Sequence, residues 1–231
     1  MLSLRLLCWQ GTNVYLLIIF VQRNRYNMDV SGIFRQTPAM INSLLNNIQN
    51  LITLSQSEIG IVTSLFKEKT YKKGDFFLEE GRICKHVGFV AKGLMRYYIN
   101  HNGEEKTYSF SQENEYVCNY ESFLPQKQSS KIIQALEDSD VLVISYNDLQ
   151  FLYANIREGE RFGRIAIEAV FLQLLQDVSS FYTETPALRY ERFLRNHSDL
   201  QQRISQYHIA SFVGVKPQSL SRIRKRISNL F

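Results

Sequence analysis

The spacing of apolar residues along the chain predicts helices first and strands second. Between residues 37 and 69, apolar side chains recur three or four positions apart, which is the period of an α-helix. From about residue 70 to 145, short runs of β-branched and aromatic residues alternate with turn residues. The Asn-Gly pair at 102–103 predicts a tight hairpin, because both residue types tolerate a positive φ. Strands this short and evenly spaced predict an antiparallel β-roll.

A long helical pattern resumes near residue 147 and is strongest over residues 158–185. Its apolar stripe consists of Phe162, Ile165, Ala169, Leu172, Leu175, Val178 and Tyr182. A helix this long that leaves a β-domain either packs back on its own roll or pairs with a second copy. The stripe is close to the a/d heptad pattern of a coiled coil, which favours a homodimer through the 158–185 helix.

The segment 206–225 contains the residues that a helix-turn-helix requires. The small side chain of Ala210 lies where the first helix would touch the second. Gly214, four residues later, is free to adopt the left-handed conformation of the turn. The positions between the two helices are apolar, namely Ile209, Val213, Val215, Leu220 and Ile223. The alternative is a plain helical hairpin that caps the core.

The outward face of the second helix carries side chains suited to the DNA major groove. Glutamine bonds adenine with two hydrogen bonds, arginine bonds guanine, and serine bonds either a base or a phosphate. Lysine and arginine at the far end suit phosphates, which position the helix without reading sequence. Arg222 is the predicted base reader. The predicted DNA-binding residues are Lys216, Gln218, Ser219, Arg222, Lys225 and Arg226.

The basic character of the chain is confined to this C-terminal part. The formal net charge is +5 over 231 residues. Residues 186–231 hold nine Lys and Arg against two acidic residues, a charge of +7, and the remaining chain carries −2. A polyanionic partner explains this asymmetry, and so does a solvated helix face.

Cysteine and histidine usage argues against a metal site and against a disulfide framework. The three cysteines, Cys8, Cys84 and Cys118, form no CxxC pair, which fits a reducing compartment. The predicted roll contains only His86 and His101, too few ligands for a cupin-like metal enzyme. We therefore expect a cytoplasmic protein that is not an enzyme and has no cofactor.

The first 27 residues fit poorly with the rest of the sequence. The apolar run 14–21 is too short to span a bilayer, which takes about 20 residues, and no signal-peptide cleavage site follows it. Translation is expected to start at Met28, which makes residues 1–27 a non-native extension. The alternative is an interfacial anchor, although no membrane partner is expected.

The chain resembles the family of the cyclic-AMP receptor protein and FNR, the Crp/Fnr family, over residues 35–231. The resemblance lies in KKGDFFLEEG (72–81), QALEDSDVLVIS (134–145) and IASFVGVKPQSLSRIRK (209–225), the last typical of a divergent branch with SLSRIRK-type recognition helices. It implies an α+β fold, in which a cyclic-nucleotide-binding-type roll precedes a dimerisation helix and a helix-turn-helix. It also implies double-stranded DNA as the partner, with RNA polymerase a further candidate.

The resemblance divides the chain after the N-terminal extension into three parts. Residues 28–150 would form the roll with its leading helices, 151–185 the dimerisation helix, and 186–231 the DNA-binding domain. The family's β-hairpin wing has no room after Lys225, because only six residues follow it. A scaffold protein that has lost DNA binding is therefore the alternative function.

The stretch that matches the family's nucleotide pocket departs from the family pattern. Asn119 or Glu121 falls near the glutamate that holds the ribose, and Ser129 occupies the place of the arginine that holds the cyclic phosphate. Without a bidentate guanidinium, a buried phosphate loses its best partner. Cyclic AMP is therefore not the expected effector, and another small molecule, or none, is. The candidate ligand-binding residues are Asn119, Glu121, Ser129, Ser130 and Lys131.

Overall fold

The protein has the α+β architecture that the sequence predicts. A computed structural model describes residues 39–228, so the predictions for residues 1–27 lie outside the described part. Within that part, no helix is long and apolar enough to cross a membrane. The domain boundaries proposed from the sequence stay predictions.

Two helices precede the strands. Helix α1 spans Ala39–Gln49 and α2 spans Gln56–Leu65. Ser55 caps α2, because its side chain accepts a hydrogen bond from the Glu58 backbone while the Glu58 carboxylate accepts one from the Ser55 N–H. The buried face of α1, which includes fully buried Leu44, joins the core of the roll.

The described strands form two four-stranded antiparallel sheets. They are β1 (Lys67–Tyr71), β2 (Phe76–Leu78), β3 (His86–Lys92), β4 (Met95–His101), β5 (Glu104–Ser111), β6 (Tyr116–Val117), β7 (Ile132–Ala135) and β8 (Ser139–Ser145). The sheet orders are β1-β8-β3-β6 and β2-β7-β4-β5. The core of the roll contains buried side chains of both sheets, such as Phe89, Val90 and Ile133. The predicted β-roll is confirmed.

The hairpin between β4 and β5 turns at the predicted Asn-Gly pair. Asn102 has φ of 53° and Gly103 has φ of 77°, the positive values that a two-residue hairpin loop requires. His101 pairs with Glu104 directly across this turn. The hairpin sets the position of β5, the edge strand that meets the C-terminal helices.

One short helix lies within the roll and two helices follow it. The short helix α3 (Tyr120–Phe123) lies between β6 and β7, and α4 (Tyr146–Asn155) follows β8. The long helix α5 spans Gly159–Thr183. The helical pattern is interrupted between α4 and α5, where Ile156 is extended at φ −101° and ψ 131°.

Helix α5 leaves the roll after its first turns. Phe162, from the predicted stripe, is buried in the core of the roll instead of facing along the helix. Beyond it, large apolar residues are exposed on more than one face, namely Ile167, Val170, Phe171, Leu172, Leu174, Leu175, Val178, Phe181 and Tyr182. The predicted stripe therefore accounts for only part of the apolar surface.

The C-terminal helices build a second core. They are α6 (Pro186–Asn196), a 3₁₀ turn (Ser198–Gln201), α7 (Gln206–Val213) and α8 (Pro217–Ser228). Tyr190 and Phe193 of α6 are buried together with Ile209 of α7. Leu94 and Phe110 of the roll belong to the same cluster, so the roll and the C-terminal helices share one apolar interface.

Candidate functional site

The turn between α7 and α8 has the geometry predicted from the sequence. Gly214 adopts the left-handed conformation at φ 80° and ψ 35°. Ala210 is fully buried, and its carbonyl oxygen accepts a hydrogen bond from the Val215 N–H at 2.9 Å. A larger side chain at 210 would push the two helices apart. Val213 and Leu220 fill the space between the helices, and Val215 and Ile223 pack against them partly buried.

Helix α8 presents one polar and basic face to solvent. Leu220 is 1% exposed and faces the core, which fixes the rotation of the helix. The opposite face brings five of the six predicted DNA-binding residues to the surface, namely Lys216, Gln218, Arg222, Lys225 and Arg226. Ser219 is half-buried, so it is less accessible to a ligand than its neighbours.

Helix α7 is fastened to the edge of the roll by one serine. The Ser211 hydroxyl accepts a hydrogen bond from the Thr107 N–H and donates one to the Glu105 carbonyl oxygen, each at 2.9 Å. Both backbone groups belong to β5, so the serine completes hydrogen bonds that this edge strand cannot make with another strand. The position of the helix-turn-helix is therefore set by the β4–β5 hairpin.

A cavity of about 230 Å³ lies over the stretch that matches the family's nucleotide pocket. Its lining consists of Asn119, Glu121, Ser122, Lys127, Gln128, Ser129 and Ser130. Four of the five candidate ligand-binding residues therefore share one pocket. Lys131 is outside the lining but is joined to it by an ion pair with Glu121 at 2.5 Å. The sequence did not single out Ser122 or Gln128.

The polar groups of this pocket are largely paired with one another. Asn119 is buried and donates to the Ser129 hydroxyl at 2.6 Å, and that hydroxyl donates to the Lys131 carbonyl oxygen at 2.8 Å. Ser122 donates to the Lys127 carbonyl oxygen. A ligand would have to displace these bonds or use the lysine ammonium groups, which act as point charges rather than as a bidentate fork.

A wider groove of about 780 Å³ lies between α2 and the start of α5. Glu58 lines this groove and Glu158 lies beside it, and both carboxylates accept hydrogen bonds from backbone N–H groups. Glu58 accepts from Ser55 and from the Arg157 N–H, which lowers the Glu58 pKa to about 2, and Glu158 accepts from the Thr53 N–H. These bonds tie the helices together. No group of three or more His, Cys, Asp or Glu side chains that could hold a metal ion occurs within residues 39–228.

The comparisons with known proteins agree with this architecture. Residues 68–156 match the cyclic nucleotide-binding domain family. No curated protein matches the chain significantly by sequence.

Solved structures of regulators have the same fold. CLP of Xanthomonas campestris, described as a c-di-GMP-responsive global regulator, is 18% identical and covers 76% of this chain and 92% of its own, with a TM-score of 0.59. A CooA mutant from Carboxydothermus hydrogenoformans is 17% identical over 80% of this chain and 84% of its own, with a TM-score of 0.61. A Crp/Fnr-family regulator from Eubacterium rectale is 15% identical over 76% and 84%, with a TM-score of 0.60.

At sequence identities of 15–18%, these structures show that the fold is shared. The effectors of those regulators are not assigned to this chain. The order of the parts is nevertheless the one that the sequence resemblance implies, with a roll, then a long helix, then a helix-turn-helix. Residues 68–156 of this chain therefore match the cyclic nucleotide-binding domain family, and the chain has the fold of the Crp/Fnr regulators.

Proposed function

We propose that the protein is a dimeric, DNA-binding transcription regulator of the Crp/Fnr type. The observation that carries this proposal is the orientation of α8. Its apolar residue Leu220 is buried, while Gln218 and Arg222 project from the opposite, solvent-facing side. Glutamine and arginine one helical turn apart can reach successive base edges in a major groove.

The basic residues around this face supply the phosphate contacts. Lys216 precedes the helix, and Lys225 and Arg226 are in its last turns. Cations flanking a recognition helix position it on the duplex without reading sequence. The charge of +7 in residues 186–231 provides the long-range attraction to the polyanion.

The exposed apolar surface of α5 supports a dimer. Five of its exposed residues recur at alternating intervals of four and three, namely Ile167, Phe171, Leu174, Val178 and Phe181. This is the heptad spacing of a coiled-coil seam. A second copy of the helix would cover an apolar surface that water otherwise contacts, and it would place two recognition helices for a two-fold operator.

The pocket of the roll is the proposed effector site. A volume of about 230 Å³ is below the range of roughly 300–1,000 Å³ that is common for small-molecule pockets. With Ser129 bonded to Asn119 and no arginine among the residues that line the pocket, we do not propose cyclic AMP as the ligand. A small polar effector, or control without an effector, fits the paired lining better.

The decisive experiment selects bound duplexes from a random pool with the full chain. A palindromic consensus with half-sites about 10 bp apart, or a multiple of that, is expected for a dimer of this type. Affinity should fall steeply with salt, because each neutralised phosphate releases a counterion. If no duplex is retained even at low salt, the protein is the scaffold alternative and the proposal is wrong.

A further inference from the structure

The long helix α5 is joined to the C-terminal helices by a very short segment. Helix α5 ends at Thr183 and α6 begins at Pro186, so only Glu184 and Thr185 lie between them. Both residues are extended, Glu184 at φ −98° and ψ 141° and Thr185 at φ −68° and ψ 158°. A few residues at the ends of helices are enough to absorb a hinge motion. The angle at this joint, residues 184–185, therefore depends on side chains that bridge it.

Arg189 of α6 bridges the joint and reaches the helix-turn-helix. Its Nη1 donates to the Glu184 carbonyl oxygen at 2.7 Å, and its Nε donates to the Val213 carbonyl oxygen at 2.8 Å. Glu184 is the C-cap of α5, and Val213 is the last residue of α7. Carbonyl groups at the ends of helices lack partners within the helix and attract cations. One planar guanidinium therefore binds the C-terminal ends of both helices at once.

An aromatic contact brings the last turns of α5 to the same place. The Arg189 guanidinium carbon lies 5.3 Å from the centroid of the Phe181 ring. A Cβ added to Gly214 would lie 3.5 Å from Arg189 Nη2 and 3.6 Å from Phe181 Cε1. Both side chains therefore lie against the turn between α7 and α8. Phe181 is also the last residue of the heptad seam proposed for the dimer, so the turn before the recognition helix rests on the proposed dimer helix.

Arg192, three residues further along α6, binds α5 and the joint. It donates to the Ser180 hydroxyl, and it lies 3.5 Å from the Asp177 carboxylate and 3.5 Å from the Glu184 carboxylate. These partners hold α6 on the end of α5. Arg189 extends the same attachment to α7, which is the first helix of the helix-turn-helix.

We propose that Arg189 is a positioning residue that fixes the recognition helix α8 relative to α5, and thereby sets the half-site separation that the protein accepts. This inference rests on the proposed function, because it takes α5 as the dimer helix and α8 as the DNA reader. Ser211 attaches the helix-turn-helix to the roll of its own chain. Arg189 attaches it to the helix that would pair with a second copy. The distance between two recognition helices must match the distance between half-sites.

The test measures binding of the full chain to duplexes that differ only in half-site separation. The palindromic consensus from the random-pool selection is one duplex, and one or two base pairs inserted between its half-sites give the others. A duplex with a single half-site reports the contacts of one recognition helix. Arg189→Ala should reduce the preference for the selected separation about tenfold, the order expected for losing hydrogen bonds of a charged group, while single-half-site affinity stays within about twofold.

A uniform effect would overturn the proposal. If Arg189→Ala weakens every duplex by the same factor and keeps the preference for one separation, Arg189 contacts DNA or stabilises the fold as a whole. Sedimentation of the variant checks association. Loss of the dimer would also contradict the proposal, because Arg189 is assigned a role between α5 and the helix-turn-helix of one chain.

Two further variants separate geometry from charge. Arg195→Ala removes the same charge from an exposed position of α6 and should leave the separation preference unchanged. Arg189→Lys keeps the charge but lacks the planar fork that reaches two carbonyl oxygens, so it should lose the preference as Arg189→Ala does. A full preference with lysine at 189, or an equal loss in Arg195→Ala, would show that charge alone matters and that the proposal is wrong.

A measurement without DNA distinguishes failure of this inference from failure of the proposed function. A glutamate-specific protease cleaves after Glu184 only when the joint opens locally. Arg189→Ala should raise this cleavage rate about tenfold and leave cleavage after Glu79, in the roll, unchanged. An equal rise at both sites, or no rise at Glu184, would overturn the bridge. A wild-type chain that binds no duplex fails the proposed function, and the protease result still decides whether Arg189 holds the joint.

Discussion

The Arg203 guanidinium donates to both carboxylate oxygens of Glu113, each at 2.9 Å. It also binds Glu137 of the roll. Burial alone would raise the pKa of Glu113, but the bonds from Arg203 and from the Gly93 N–H outweigh it and hold that pKa below its ordinary value. Arg203 is three residues before the start of α7, so this ion pair and the Ser211 bonds attach the helix-turn-helix to the roll at two points.

Arg203→Ala should destabilise the protein by about 1–2 kcal/mol, because charged hydrogen bonds contribute more than neutral ones and two carboxylates lose their partner. Arg203 is 26% exposed, which keeps the loss below that of a fully buried pair. Urea unfolding measures it. The control is Lys72→Ala, which breaks the exposed pair with Asp138 and should change the stability much less, because solvent screens an exposed ion pair. Equal losses in the two variants would argue against the attachment.

Gly214→Ala should destabilise the helix-turn-helix by about 1–2 kcal/mol through backbone strain, since φ is +80° there. An added Cβ would meet Arg189 at 3.5 Å, an ordinary contact, so steric overlap contributes little. Gly60→Ala is the matched control, because Gly60 is within α2 with open space around it. That change should stabilise by about 0.5–1 kcal/mol. Thermal unfolding of both variants decides whether the effects have opposite signs.

Acid should weaken the fold partly through His208. Burial, aided by the nearby Arg96 charge, lowers its pKa from 6.5 to about 4, against a smaller opposing effect of Glu105. Between these pH values the unfolded chain binds more protons than the folded one, so stability falls as the pH drops from about 6.5 to about 4. Urea unfolding at several pH values should show a smaller loss over this window for His208→Gln. His197, whose pKa burial also lowers, should leave a residual slope in the variant.

Leu174→Glu should dissociate the proposed dimer, because it places a charge in the centre of the heptad seam of α5. Gln176→Glu introduces the same charge on the same helix two residues away, on the side opposite the seam, and should leave association intact. Sedimentation at several protein concentrations compares them. If the wild-type chain sediments as a monomer at every concentration, the proposed dimer is wrong.

Arg222→Ala should relax sequence preference at one base position, at a cost of about 1–3 kcal/mol for the preferred duplex. Arg226→Ala should instead weaken all duplexes alike and reduce the salt slope by about one unit. Both are measured on the selected duplex and on single-base variants of it. If Arg222→Ala also weakens every duplex equally, Arg222 contacts a phosphate.

The features that the sequence predicts correctly depend on residues that are close together in the chain. The Asn-Gly hairpin and the Gly214 turn are fixed by backbone preferences of one or two residues, so they are readable in the chain itself. The inward positions of the helix-turn-helix follow from helical periodicity, and all of them pack in the C-terminal core.

The features that were missed depend on distant residues. Arg203 and Glu113 are 90 positions apart, and their pairing exists only because the C-terminal helices dock against the roll. The apolar stripe predicted for α5 includes Phe162, but this residue is buried in the core of the roll. A pattern of apolar residues does not reveal that the first turns of a helix pack in one core while the later turns are exposed.

The edge position of β5 has a consequence for the solubility of the roll. An open edge strand offers unpaired N–H and C=O groups to any other strand, and this is a common route to aggregation. Ser211 occupies two of these groups, and Phe110 of the same strand is covered by the C-terminal helices. The helix-turn-helix therefore also shields the roll from self-association. If truncation or proteolysis separated the roll from the helix-turn-helix, the roll would expose the unpaired edge of β5 and the apolar patch around Phe110.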